Sequence, residues 1–83
     1  RVYGEPWVAN NSFIIDLIGS NGLAMTNGNK TFTAGTEMAV GSDYVWWNPS
    51  VAPTYALGVA ITNNGTKNHV INKIEIDVDL GGK

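Results

Sequence analysis

Large apolar residues fall on every second position in three stretches of this chain. Phe13, Ile15 and Leu17 form one row, and Tyr55, Leu57, Val59 and Ile61 form a second. The longest row is Val70, Ile74, Ile76, Val78 and Leu80, with Asn72 interrupting it. Successive side chains of a strand point to opposite faces, so a period of two gives one buried and one wet face. No stretch carries a 3.6-residue apolar period over three turns. Turn-forming residues recur between the apolar segments, as at Asn10-Asn11, Gly19-Ser20-Asn21-Gly22, Asn27-Gly28-Asn29, Gly41-Ser42, Asn48-Pro49 and Asn63-Asn64-Gly65. Asn-Gly is the favoured two-residue hairpin pair because both positions tolerate positive φ. The pattern predicts strands at residues 12–18, 22–26, 30–33, 37–40, 43–47, 54–62 and 69–80. Short strands with turn signals roughly every 6 to 12 residues predict an all-β fold, a small antiparallel β-sandwich of Ig-like or jelly-roll-like type with about seven short strands.

The three rows are the expected core. On the second face of the 54–62 segment, Ala56, Gly58 and Ala60 are very small. A strand that is flat on one face admits a close neighbour, either inside the sandwich or from another subunit.

The chain has 83 residues, read as a single domain over 1–83. So short a chain buries only about 60–65% of its unfolded surface, a thin stability margin. Disulfides, a metal or partner chains usually repair that margin. Cysteine is absent and His69 is the one histidine, so assembly with partner chains is the route left open. Charged residues make up 14% of the chain, against roughly 25% in an average soluble domain. Ten Asn, ten Gly and seven Thr take their place. A surface of neutral polar groups loses its water easily and gives little long-range repulsion between copies. The net charge of −2 and scattered basic residues carry no footprint for nucleic acid. The most apolar run, residues 13–18, is short and contains Asp16, so no membrane span is expected. The chain opens on Arg1, as a processed mature protein or an excised domain would.

Three Asn-X-Ser/Thr sequons begin at Asn10, Asn29 and Asn64, where chance placement gives roughly 1.3. They are candidate glycosylation sites if the chain is secreted. Trp7, Tyr44, Trp46 and Trp47 are the candidate interface or ligand residues. Adjacent tryptophans on a strand face opposite ways, so at most one is core. The other is free for a partner surface, where Trp is enriched, or for stacking on a sugar ring.

Glu75, Asp77 and Asp79 occupy one face of the last predicted strand. Carboxylates suit calcium, but a straight row spreads them over about 13 Å, whereas calcium loops gather ligands in a turn. The row reads as a solvated face whose like charges discourage edge pairing, and no metal or other cofactor is expected. His69 has no partner for nucleophilic chemistry nearby in sequence, and the seven acids make no distinctive pair. An enzyme is not expected.

Val59-Ala-Ile-Thr-Asn-Asn-Gly-Thr66 followed by Ile71-Asn-Lys-Ile-Glu-Ile76 resembles the strand, Asn-Gly turn and strand of Ig-like surface domains. Residues 55–80 look most like the β-rich ectodomains of archaeal pilins and archaellins. The long apolar N-terminal helix that builds the core of those filaments has no counterpart in this sequence. The resemblance implies a subunit that polymerises through β surfaces, for example by donating a strand to the next copy. Residues 1–18 or the final strand are the two candidate donors. The expectation is a non-enzymatic, extracellular structural subunit of the cell or virion surface that self-assembles with its own copies into a filament or surface layer through β-strand and aromatic interfaces. The alternatives are a carbohydrate-binding module with an exposed Trp/Tyr platform and a virion surface protein.

Overall fold

The alternation of Phe13, Ile15 and Leu17 places its strand at the centre of the protein, paired on both sides. The computed structural model describes residues 1–77. Its strands are β1 (Val2–Gly4), β2 (Ser12–Ile18), β3 (Ala24–Thr33), β4 (Tyr44–Val45), β5 (Gly58–Asn63) and β6 (Ile71–Ile74). They form two antiparallel sheets of three strands, ordered β4-β1-β6 and β3-β2-β5. No helix occurs among the described residues. The fold is a small all-β sandwich, as the period of two predicts, with six strands among the described residues.

Trp7, Phe13, Phe32 and Met38 are fully buried, joined in the core by Val2, Ile15, Leu17 and Val45. Phe13 and Phe32 stack at 5.3 Å, and Trp7 tilts against Phe13 at 5.8 Å. His69 rests against both Trp7 and Phe13, and its Nδ1 is buried without a hydrogen-bond partner. These rings close one end of the sandwich. Asn11 seals the loop beside them: its Oδ1 accepts from the Val8 N–H at 2.9 Å, and its Nδ2 donates to the Asn68 carbonyl at 3.3 Å.

Several elements differ from the expectation. Asn27-Gly28-Asn29 does not reverse the chain, so the strands predicted at 22–26 and 30–33 belong to one element, β3. Asn27 takes φ 62° in a bulge where Asp16 pairs with Asn29 but Ile18 pairs with Ala24. The reversal lies at residues 19–23, closed by Gly22 N–H donating to Gly19 O at 2.9 Å. Residues 37–40 form a turn rather than a strand. Glu37 accepts from the Thr33 N–H, and Met38 drops its side chain into the core. The 54–62 segment becomes a strand only at Gly58, so Tyr55 and Leu57 are exposed instead of core, while Val59 and Ile61 pack at its edge. Gly58 and Ala60 are exposed on β5, which removes the reading that this small-residue face lies inside the sandwich.

The last row is also corrected. Val70, Ile74 and Ile76 are exposed, and Ile71 packs on the core instead of Val70. A bulge explains the change of parity: Tyr3 pairs with Lys73 but Gly4 pairs with Ile71, leaving Asn72 as an extra residue. Val78, Asp79 and Leu80 lie outside the described residues.

Candidate functional site

Beside the aromatic cluster, with Phe32 in its lining, a groove of about 980 Å³ opens between the sheets. Ile15, Leu17 and Val59 form one wall; Val2, Val45 and Ile74 form the other. Each is there because alternation turns it toward the interior of its sheet. Residues 46–57 make the rim with Ile76 and Arg1. This rim holds Pro49 and Pro53, which lack the N–H a ladder needs. Among the described residues, 47–57 make no backbone-to-backbone hydrogen bond outside the strands. The segment is held by side chains instead: Thr54 Oγ accepts from the Ser20 N–H at 3.0 Å and donates to the Ala56 carbonyl at 2.9 Å.

The candidate aromatics separate. Trp7 is a core residue with no exposed surface, its Nε1 donating to the Tyr44 carbonyl at 3.3 Å. It is not available to a ligand or partner, which corrects its place among the candidates. Tyr44 is half-exposed on the outer face of β4, stacked on Tyr3 at 6.0 Å and away from the groove. Trp46 and Trp47 both line the groove, Trp46 64% exposed and Trp47 packed on the core. Tyr55 and Leu57 also stand at the rim, with Tyr55 fully exposed. Sequence reasoning assigned these two to the core because their alternation matches a buried strand. The two prolines just ahead of them were the signal that the strand starts later.

The ionisable groups at the rim are committed to local partners. Arg1 Nη1 meets Asp77 Oδ2 at 2.9 Å. Glu75 accepts from the Tyr3 hydroxyl at 2.9 Å and sits 3.4 Å from Lys73 Nζ. The Tyr3 hydrogen bond, helped by Lys73, lowers the Glu75 carboxyl below its ordinary value; the same bond raises the Tyr3 phenol above its own. The chemistry this groove offers is apolar contact along its walls and unpaired backbone along its rim.

Asn10, Asn29 and Asn64 are all exposed, and none lines the groove. Asn10 takes φ 73° in a turn beside the aromatic end, and Gly65 packs its backbone against the Asn10 carbonyl, so Asn64 lies close by. Asn29 lies on the outer face of β3, its Nδ2 donating to Asp16 at 2.7 Å. No protein family, curated protein or solved structure matches the chain.

Proposed function

We propose that this chain is a non-enzymatic structural subunit that self-assembles into an extracellular filament or surface layer. The groove carries the reading: an apolar interior lies open between two sheets, bordered by backbone with no ladder partner. Native proteins seldom leave such a surface uncovered, because exposed apolar area and unpaired backbone both favour association. Low charge adds to this, since few ions must lose water when copies meet. The resemblance of residues 55–80 to archaeal surface-filament ectodomains points the same way. Glycans on Asn10, Asn29 and Asn64 would project from other surfaces and leave the groove accessible.

Negative-stain electron microscopy of the protein from its source, together with sedimentation velocity over a concentration series, tests the reading. Regular filaments or sheets built from this chain alone are expected. A monodisperse monomer at every concentration overturns it.

A second reading, a carbohydrate-binding module, is favoured by the exposed faces of Trp46 and Tyr55 on one rim. It requires a monomer that is retained on a glycan array and loses retention in Trp46→Ala.

A further inference from the structure

We propose that β5 is the edge along which two copies of this chain pair antiparallel, joining their β3-β2-β5 sheets into one. The inference rests on the self-assembly reading and names one of its contacts.

Among the described residues the two sheets end on four edge strands, β3 and β5 in one, β4 and β6 in the other. An edge invites pairing unless it is short, bulged or charged. Three of the four are guarded. β4 is two residues long. β3 carries Lys30 and the bulge at Asn27. β6 carries Lys73 and the extra residue at Asn72. β5 has no charge, no proline and no register shift over its six residues. It lies within residues 44–66, the longest uncharged run of the chain.

The ladder shows what this edge offers. Asn64 N–H donates to Ser12 O at 2.9 Å, and alternate residues of an antiparallel strand turn their N–H and C=O to opposite sides. Thr62, Ala60 and Gly58 therefore bond toward β2, and Asn63, Ile61 and Val59 turn their backbone groups outward. Among the described residues β5 pairs with β2 alone. Side-chain cover tells the same story. Ile15 and Leu17 lie directly opposite Ile61 and Val59 on one face, yet the β2 pair is buried and the β5 pair only half-buried. Cover is lacking on the far side of β5.

The absence of charge selects the occupant. A strand that meets its own copy about a two-fold axis sets its residues against that same set, so charges on it would face like charges. β5 has none to oppose. With Val59 and Ile61 turned inward in both copies, the β-branched pairs form one apolar row across the junction. Gly58, Ala60 and Thr62 make a low outer face beside it. A two-fold contact closes at two chains, so the pair is a building unit and each copy keeps its groove for growth.

Quenched hydrogen exchange read by NMR on the unmodified chain, over a concentration series with sedimentation velocity alongside, tests the contact. A two-chain species is expected, and with it a slowing of about tenfold or more at the Val59 and Ile61 amides. The Ala60 and Thr62 amides, bonded to β2, are expected to be protected throughout. Protection of Val59 and Ile61 at every concentration overturns the proposal, because the chain then covers its own edge. Assembly that leaves these two amides fast also overturns it, while the self-assembling subunit stands. A chain that is monomeric throughout removes both. A pair that never grows further upholds this contact and overturns the filament. Ile61→Pro removes an outward N–H and no bond to β2, and is expected to weaken pairing roughly a hundredfold or more. A folded Ile61→Pro that pairs like the parent overturns the proposal; should it not fold, the exchange measurement decides without it.

Discussion

Trp47 meets Phe32 edge to face, with ring centroids 6.0 Å apart and planes at 73°, while its neighbour Trp46 stands 64% exposed at the groove. One residue along a near-extended chain separates a ring that holds the fold from a ring that serves a surface. Trp47→Ala is expected to lower stability by roughly 2 kcal/mol, below the 3–5 typical of fully buried aromatics because Trp47 is half-buried. Trp46→Ala is expected to stay within about 0.5 kcal/mol. Urea unfolding followed by far-UV circular dichroism compares the two without relying on indole fluorescence.

Gly4 lies where β1 ends against the ring of Trp7 and the carbonyl of Val70. A Cβ there would stand 2.8 Å from Trp7 and closer still to that carbonyl, which is backbone and cannot swing aside. Gly4→Ala is expected to cost on the order of 1–3 kcal/mol by overpacking. Gly4 φ is not in the left-handed region, so space rather than backbone freedom sets the requirement. Thermal unfolding of Gly4→Ala beside a Gly58→Ala control, whose Cβ would make only ordinary contacts, separates crowding from strand propensity.

The Tyr3–Glu75 hydrogen bond links stability to pH at two ends. Glu75 titrates below its ordinary 4.5, so its contribution is complete above that value and is lost as pH falls through the lowered one. Tyr3 titrates above its ordinary 10.0, so the neutral phenol contributes below that value and is lost as pH rises through the raised one. Tyr3→Phe is expected to move the Glu75 titration part of the way back up, since Lys73 remains beside it. Carboxyl carbon chemical shifts across an acid titration read the change directly; an unmoved Glu75 midpoint would show that the bond is not made in solution.

Asn11 uses both ends of its amide between loops that are 57 residues apart at Asn68. Buried as it is, its replacement by Ala leaves the Val8 N–H and the Asn68 carbonyl without partners. Asn11→Ala is expected to cost roughly 1–3 kcal/mol. Hydrogen exchange should quicken at the Val8 amide in particular, and protection there equal to the parent protein would argue against the bridge.

The strand at Ser12–Ile18 was legible because three large residues in perfect alternation allow one register only. Other elements were written less plainly. β1 is three residues long, too short for a period to appear, yet it is the middle strand of its sheet. Asn27-Gly28 signals positive φ at Asn27, and a bulge inside a strand meets that need as well as a hairpin does. Only the packing of Gly28 beneath Leu17 selects between them. In β6 the extra residue at Asn72 lets Ile71 and Ile74 both face inward although they are three apart, which a strict period of two forbids. The aromatic candidates were visible as a group, but their division into Trp7 inside, Trp47 between and Trp46 outside depends on which sheet face each one meets. The groove itself was not legible, because it arises from the relative reach of two sheets and no single segment records that.

The pairing of Arg1 with Glu75, beside Val2 with Ile74, has a mechanical consequence. Tension applied through Arg1 and Asp77 would meet the hydrogen bonds between β1 and β6 one at a time, as a zip is drawn, and each would yield alone. The weakest line of pull through this fold therefore runs through Arg1 and Asp77, where one hydrogen bond bears the load at a time.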